Sequence, residues 1–325
     1  MKSFNAVMRM VTVGVLMTIA GAAIAQQDYP NKPIRIITPY APGGGTSILA
    51  RLIGQKLTES WGQSVIVDNR PGGSTIIGTE ILVKSPPDGY TILLMTSTHV
   101  TIPILFSSLP YDAVKDFAPV ATIARSEYIL VVHPSVPANT LREFIAFAKS
   151  KPGQLNYAST GSGGIPHLAW ELLNNMVGIK MQHIPYKGSG QALTDVIGGQ
   201  VLMFINNPLT LIPHIKSGKL RAIAVSGESR LTSVPQVPTF TEAGLPGYDV
   251  GFWYGVLAPA STPKPIIDKL SREIARILVT PDFREKLISQ GVDPFISNPE
   301  QFAALLGADM VKWGKVIKTA NIKMD

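Results

Sequence analysis

Two glycine-rich loops are the segments of this sequence whose residue types and spacing suit ligand binding. The first occurs in "YAPGGGTSILARLIGQKL" (40–57) and the second in "NYASTGSGGIPHLAWEL" (156–172). Each loop follows a strand-like run and opens directly into a helical pattern. The first turn of a helix has backbone N–H groups without intrahelical partners and a partial positive charge, and glycine lets a ligand approach that backbone closely. The two loops therefore predict anion binding.

Neither loop has the spacing of a nucleotide-binding motif. No G-x-x-x-x-G-K-[ST] occurs, and G-x-G-x-x-G fails because Ile48 and Pro166 occupy the third glycine position. A carboxylate suits both loops better, since it is small, planar and accepts several hydrogen bonds of about 1.5–3 kcal/mol each. The alternative is that both loops are only tight turns that pack a helix against a strand.

Catalytic and metal chemistry have little support in the sequence. Ser162 and Ser189 lack the G-x-S-x-G context, because Thr160 and Lys187 stand two residues before them. The five histidines contain no His-x-x-x-His pair, and the absence of cysteine excludes a thiol nucleophile and a Cys-based zinc site. We therefore expect no catalytic residue, no metal site and no cofactor, and an exported hydrolase is the disfavoured alternative.

Residues 1–25 predict a secretory signal peptide. Lys2 and Arg9 precede an apolar run that is too short to span a membrane and ends in the small-x-small site Ala23-Ile24-Ala25. We predict cleavage after Ala25 and a periplasmic location, with an uncleaved anchor as the alternative. The formal net charge of +7 includes no Lys/Arg block typical of a nucleic-acid-binding arm. No nucleic-acid partner is therefore expected.

Short β-rich runs alternate with helical periodicity, which predicts an α/β fold with parallel sheets and helices on both faces. The pattern starts again near residue 120, and the two glycine loops have similar surroundings. We therefore predict two domains of similar topology, 26–124 with 251–325 and 125–250, with crossings near 120–132 and 249–258. The last part of the chain is predicted to be helical at 265–278, 283–290 and 299–320.

Many ordered blocks of the chain resemble the Bug family, the extracytoplasmic solute-binding proteins of tripartite tricarboxylate transporters. The blocks that carry the resemblance span essentially the whole chain after the signal peptide, and include "VIVDNRPGGS", "PPDGYTILL", "KPGQLNYASTGSGGIPHLAWELL", "IPYKGSGQALTDVIGGQV", "VPQVPTFTEAGLPGYDV" and "WYGVLAPASTPKPIIDKL". The resemblance implies a two-domain, hinged periplasmic-binding-protein fold of the Venus-flytrap, type II-like class with a helical C-terminal segment.

The resemblance also implies a small carboxylic acid ligand in the interdomain cleft, bound by a monomer. Membrane transporter subunits would be its partners, with a membrane-bound signalling partner as the alternative. His167 is interpreted as a brace of the second loop, with direct ligand contact as the alternative. The candidate ligand-binding residues are Tyr40, Gly43, Gly44, Gly45, Thr46, Ser47, Thr98, Ser159, Thr160, Gly161, Ser162, Gly163, His167 and Tyr186.

Three positions depart from the family pattern. The family usually has Asp at the positions of Ser47 and Leu202, and commonly Asn at that of Ile102. Losing a carboxylate at position 47 removes a possible partner for an ammonium group. The sequence therefore favours an aliphatic or aromatic acid without a nearby amine over an amino acid.

Overall fold

The computed structural model describes residues 29–319 as two α/β lobes, each built on one β-sheet. The predicted signal peptide and its cleavage site after Ala25 lie outside the described residues. Sheet 1 has the strand order β11-β4-β10-β3-β1-β2, and sheet 2 has the order β7-β6-β8-β5-β9. The strands are β1 Ile34–Thr38, β2 Val65–Asn69, β3 Thr91–Thr96, β4 Phe117–Glu127, β5 Ile129–Val132, β6 Asn156–Ser159, β7 Gln182–Pro185, β8 Met203–Asn206, β9 Arg221–Val225, β10 Gly251–Pro259 and β11 Asp293–Pro294.

The sheets are mixed, so the prediction of parallel sheets is correct only in part. In sheet 1 the parallel strands β2, β1 and β3 adjoin β10, which runs antiparallel to β3 and β4. In sheet 2 the strand β5 runs antiparallel to both β8 and β9. The reason is topological. A strand that arrives from the other lobe starts at the edge where the parallel strands end, and must run against them.

Helices follow most strands and cover the sheets. Helical periodicity in the sequence also predicts helices at 46–60, 141–150 and 165–177. The structure has helices at Gly45–Trp61, Leu141–Ser150 and Ile165–Val177, and the predictions 265–278 and 299–320 correspond to Lys264–Leu278 and Pro299–Thr319. The helices are α1 Gly45–Trp61, α2 Ile76–Val83, α3 Thr98–Leu105, α4 Leu141–Ser150, α5 Ile165–Val177, α6 Ser189–Ile197, α7 Pro208–Lys216, α8 Lys264–Leu278, α9 Pro281–Ser289 and α10 Pro299–Thr319.

The C-terminal helices pack on sheet 1, although they follow sheet 2 in the chain. Both α8 and α10 contact β4, and the apolar face predicted for α10 buries Phe302, Leu306, Trp313 and Ile317. Within residues 29–319, none of the helices combines the length and the apolar character needed to span a bilayer.

The chain passes from sheet 1 to sheet 2 at 127–129 and returns between 225 and 251. Ser226 ties the two passages together. Its Oγ accepts a hydrogen bond from the backbone N–H of Tyr128 (2.8 Å) and donates one to the carbonyl of Val250 (2.6 Å). The hinge between the sheets thus consists of two passages of the chain, which the buried hydroxyl of Ser226 joins.

The lobes touch each other across the cleft between the two sheets. The backbone N–H of Ala41, beside the first glycine loop, donates to the carbonyl of Lys187 (3.0 Å). On the other side, Thr101 Oγ1 of α3 donates to the carbonyl of Gly163 in the second loop (2.8 Å). Both contacts join one lobe to a backbone carbonyl of the other, so the structure represents a closed arrangement.

Gly45 sets how closely the lobes can approach. A Cβ atom at this position would lie 2.3 Å from Tyr254 Oη and 2.7 Å from Asn207 Oδ1. Tyr254 is buried in the same lobe as Gly45, whereas Asn207 belongs to the other lobe, so the contact with Asn207 is the one that limits the approach of the lobes. We expect Gly45→Ala to hold the lobes apart and to raise the radius of gyration in small-angle X-ray scattering.

Gly44→Ala is the matched control for this test. Gly44 has an ordinary φ of −84°, and a Cβ there would make a normal contact of 3.6 Å with Ser189. We expect its radius of gyration to equal that of the wild type. Equal radii for Gly45→Ala and Gly44→Ala would show that the close approach at Gly45 does not limit closure.

Glu127 places a partly buried carboxyl group at the hinge. Its Oε2 is buried and has no hydrogen-bond partner among residues 29–319. Burial, and then the nearby charge of Asp249, raise the pKa of Glu127 above its usual value. Because the folded-state pKa is the higher one, ionisation destabilises the native state above that pKa, and this penalty is lost as the pH falls toward the unfolded-state value of about 4.3.

We therefore expect Glu127→Gln to raise the free energy of unfolding at neutral pH, with a gain that shrinks as the pH approaches about 4. Urea titrations at several pH values measure this difference. Glu228→Gln is the control, because Glu228 is exposed beside the same hinge and should change little. A loss of stability in Glu127→Gln at neutral pH would contradict the assignment.

Candidate functional site

The two glycine loops meet at a small cavity between the lobes. Its volume is ≈ 20 Å³, which holds about one or two water molecules, since one needs roughly 10–15 Å³. An organic acid therefore needs a somewhat wider separation of the lobes than this one. The lining residues are Tyr40, Gly44, Thr46, Thr96, Thr98, Tyr128, Thr160, Pro166, Ser189, Asn206, Asn207, Phe252 and Tyr254.

Five helices begin at this cavity, two from the lobe of sheet 1 and three from the lobe of sheet 2. The lining includes the first turn or the N-cap of each of them, namely α1, α3, α5, α6 and α7. The lining contains no Lys, Arg, Asp or Glu. Positive partial charges of helix N-termini therefore dominate the cavity and are not cancelled by a side chain. Such an arrangement binds an anion.

The tyrosines of the cavity wall stay neutral. Tyr40 Oη and Thr96 Oγ1 lie 2.8 Å apart in a hydrogen bond, and Thr96 Oγ1 also accepts from the backbone N–H of Thr98 (3.3 Å). Burial raises the pKa of Tyr40 and raises those of Tyr128 and Tyr254 even further above their usual values. The phenol groups therefore place no negative charge beside a bound anion.

Asn206 and Asn207 form a polar corner of the cavity. Asn207 Oδ1 caps α7 by accepting from the backbone N–H of Thr210 (3.3 Å), and Asn206 Nδ2 donates to Thr210 Oγ1 (3.0 Å). The sequence reasoning did not find this pair. The signal was available, because "NNP" after an apolar strand is an N-cap followed by proline at the first helical position.

Other cavity residues that sequence reasoning missed are aromatic or hydroxyl side chains within strands, loops or helix starts. Tyr128 lies between β4 and β5, and Phe252 lies in β10. Their ring centroids are 4.4 Å apart, and nothing in their apolar runs distinguishes them from core residues. Apart from Asn206 and Asn207, the residues missed are the aromatic and hydroxyl residues Thr96, Tyr128, Ser189, Phe252 and Tyr254, together with Pro166 in the first turn of α5.

His167 lies behind the second glycine loop and supports its backbone through a hydrogen bond. Its Nδ1 accepts from the backbone N–H of Gly163 (3.1 Å), and its ring stacks on that of His183 with centroids 4.0 Å apart. His183 Nε2 in turn hydrogen-bonds Ser159 Oγ (2.6 Å). Burial, and then the neighbouring His167, lower the pKa of His183 to about 3. Neutral His183 thus supports the loop without adding charge.

The structure separates the candidate residues into three groups. One group lines the helix-ringed cavity: Tyr40, Gly44, Thr46, Thr98 and Thr160. A second group lines an adjoining cavity of ≈ 250 Å³, which shares Tyr40 and Thr160 with the first: Gly161, Ser162 and Tyr186. The remaining candidates line neither cavity: Gly43, Gly45, Ser47, Ser159, Gly163 and His167.

Ser47 is a structural partner of the first loop. It is fully buried, and its Oγ accepts from Asn69 Nδ2 (2.5 Å), which also donates to the carbonyl of Tyr40 (2.9 Å). Asn69 ends β2, so this network fixes the loop to the sheet. Tyr186 directs its Oη to Asp195 Oδ2 (2.6 Å), which leaves its ring rather than its hydroxyl for the cavity.

The sequence matches a known protein family. The family model described as "Tripartite tricarboxylate transporter family receptor" (TctC) matches residues 49–322. The chain is 35% identical to Protein BugT of Bordetella pertussis over 316 residues, which cover 96% of this chain and 97% of BugT.

Solved structures of similar proteins cover nearly the whole chain. Periplasmic binding protein BugD has a TM-score of 0.88 at 31% identity, covering 91% of this chain and 100% of its own. Rpa4515 of R. palustris, solved with adipate, has a TM-score of 0.89 at 35% identity, covering 91% and 99%. MatC (Rpa3494) of Rhodopseudomonas palustris, solved with bound malate, has a TM-score of 0.83 at 31% identity, covering 89% and 100%.

The match to the family model and the similarity to BugT over almost the full length of both chains show that this protein belongs to the tripartite tricarboxylate transporter receptor (TctC) family of solute-binding proteins.

Proposed function

We propose that this protein captures a small carboxylate in the cleft between its lobes and delivers it to a tripartite tricarboxylate-type transporter in the membrane. The observation that carries the proposal is the convergence of five helix N-termini, from both lobes, on a cavity without charged side chains. The adipate and malate of two similar proteins support a carboxylate as the anion. The protein acts as a receptor, without catalysis.

Closure is the proposed mechanism. The lobes, predicted as 26–124 with 251–325 and 125–250, would move about the two passages that Ser226 joins. A carboxylate that accepts hydrogen bonds from both lobes stabilises the closed form over the open one. Closure also removes water from the carboxylate and so strengthens those bonds. The transporter then recognises the closed monomer.

The location follows from the signal peptide at residues 1–25. Cleavage after Ala25 releases the protein into the periplasm, where the ligand enters from outside the cell. Two similar proteins of known structure, one described as a periplasmic transporter and the other as a periplasmic binding protein, support this location.

Gly161→Asp tests the second loop. It places a negative charge one residue after Thr160, in the wall next to the carboxylate site. We expect the affinity for malate or adipate to fall by roughly a hundredfold or more, because like charges in a desolvated site repel strongly. Isothermal titration calorimetry measures the affinity, and thermal melting reports whether the protein stays folded.

Gly161→Ala is the matched control. Gly161 has φ +133°, so any side chain strains the loop, and alanine introduces this strain without the charge. We expect alanine to weaken binding less than aspartate does. Equal affinities of the two variants would show that charge at this loop does not matter, and would contradict the proposed site.

The lining of the cavity also predicts which acids bind. It contains no carboxylate side chain to pair with an ammonium group, and its helix N-termini repel a cation. We expect malate to bind more tightly than aspartate, which carries an ammonium group in place of the hydroxyl. We also expect succinate and adipate to bind more tightly than glutamate. Isothermal titration calorimetry measures the affinity for each of these acids. Tighter binding of aspartate or glutamate than of every non-amino acid would refute it.

A further inference from the structure

We propose that the end of the sheet 2 lobe farthest from the cleft binds the anionic headgroups of a phospholipid bilayer. This surface, called the basic end below, is formed by seven lysine and arginine side chains: Arg142, Lys149, Lys151, Lys180, Lys216, Lys219 and Arg221. The proposal concerns attachment of the protein to a membrane, and it does not depend on which ligand the cleft takes.

The net positive charge of the chain is concentrated in one segment. Residues 133–221 contain eight lysines and arginines and three acidic residues, which gives a net charge of +5. The other residues between 26 and 325 contain nineteen basic and nineteen acidic residues, so their net charge is zero. Seven of the eight basic residues of the segment form the basic end, and the eighth, Lys187, lies at the cleft.

Strand directions place these seven residues at one end of the lobe. β5 runs antiparallel to β8 and β9, and β6 runs parallel to β7 and β8. The strands β6, β7, β8 and β9 therefore start at the end where β5 stops, and they run toward the cleft and the hinge. The segments after β5 and before β6, β7 and β9 carry the basic side chains. A membrane that covers the basic end therefore leaves the cleft open to its ligand.

Hydrogen bonds join these segments into one surface. The guanidinium group of Arg221 donates to the carbonyls of Val136 (2.9 Å) and Ala138 (3.1 Å), shortly before α4 begins. Just after α4 ends, the backbone N–H of Gly153 donates to the carbonyl of Lys180 (2.8 Å). Arg221 opens the edge strand β9, and Lys180 lies before the opposite edge strand β7. Helix α4 therefore connects the two edges of sheet 2 along this end.

The charged groups of the basic end are not neutralised by carboxylates. Six of the seven side chains are exposed, and Arg221 is half-buried. In the same lobe Arg230 pairs with Glu242 (2.7 Å), whereas the seven pair with no carboxylate within residues 29–319. Glu143 is the acidic residue of α4, and its Oε2 accepts from the backbone N–H of Asn139 (2.7 Å). The positive charges are therefore available to an external anion.

Helix C-termini account for part of this charge. Helices α5, α6 and α7 begin at the cavity and end toward the basic end, and the C-terminus of a helix carries about half a negative charge. Helices α1 and α3 of the other lobe also begin at the cavity, yet the chain outside residues 133–221 has no surplus of positive charge. The surplus in the sheet 2 lobe therefore indicates an anionic partner outside the protein.

The residue types of the basic end favour a lipid surface over a protein partner. Five of the seven residues are lysines, which are depleted in protein interfaces, whereas aromatic residues and arginine are enriched there. Among residues 133–221, Met176 is the one large apolar residue that is exposed. A protein partner would therefore find no apolar anchor. Anionic bilayers, in contrast, bind clusters of lysine and arginine through charge alone.

Co-sedimentation with vesicles tests the proposal, on the chain without its predicted signal peptide. The vesicles contain phosphatidylcholine alone or a mixture of phosphatidylcholine and phosphatidylglycerol. We expect the protein to bind the mixed vesicles at about 0.1 M salt and to bind the neutral vesicles much more weakly. We also expect the binding to be lost near 1 M salt, because the screening length falls from about 10 Å to about 3 Å.

The triple variant Lys180→Gln/Lys216→Gln/Lys219→Gln removes three charges from the basic end. We expect its partition coefficient onto mixed vesicles to fall roughly tenfold or more, because each lysine near an anionic surface adds to the attraction. We expect its affinity for malate and its melting temperature to remain those of the wild type, because the three lysines are exposed and lie outside the cleft.

Lys286→Gln/Lys315→Gln/Lys318→Gln is the matched control. These lysines are exposed on α9 and α10, and they pair with no carboxylate in the described part of the chain. Their loss changes the net charge by the same amount, but at a different surface. We expect the control to bind mixed vesicles nearly as the wild type does.

Equal losses of vesicle binding in the two triple variants would show that net charge governs the attraction, and would overturn the basic end. A wild type that binds poly-L-glutamate in fluorescence anisotropy, but not the mixed vesicles, overturns the lipid partner in favour of an acidic protein. A wild type that binds neither probe overturns the surface altogether. The carboxylate-binding function is independent of these outcomes, because calorimetry with malate or adipate tests it separately.

Discussion

The constraint on which the proposed binding of an anion depends is that helix N-termini from both lobes line one cavity. Parallel strands end at the same edge of a sheet, and the helices that follow them begin there. Each lobe therefore presents helix N-termini on its cleft side, and the lining of the small cavity between the lobes contains no charged side chain. Neutral tyrosines with raised pKa values complete the wall, so the positive potential of the helix ends is preserved.

The same interaction links binding to movement. Neither lobe alone surrounds the cavity, because α1 and α3 come from one lobe and α5, α6 and α7 from the other. In the proposed mechanism, an anion between the lobes favours their approach to each other. Direct contacts between the lobes, such as that of Ala41 with Lys187 and the packing at Gly45, limit how closely they approach. Ser226 holds the two hinge passages to each other, so the proposed closure moves them together.

Sequence reasoning found what local chemistry encodes. Helical periodicity predicted the bounds of α4 and α5, and glycine residues directly before a predicted helix identified the two loops. It missed α3, because Pro103 and β-branched residues obscure a helix in "THVTIPIL". It also missed Tyr128, Phe252 and Tyr254, which face the cavity only because two distant hinge strands lie side by side. Tertiary structure brings such residues to the cavity, and a single sequence does not show which residues these will be.

Ser47 connects the departure from the family pattern to the charge of the ligand. It lies in the first turn of α1, and its buried hydroxyl pairs with Asn69 instead of reaching the cavity. An aspartate in its place would put a negative charge within the N-terminal turn of α1 and would reduce the positive potential there. Serine keeps the loop attached to the sheet and leaves that potential for the ligand. A neutral residue at position 47 thus suits an acid that brings negative charge and no ammonium group.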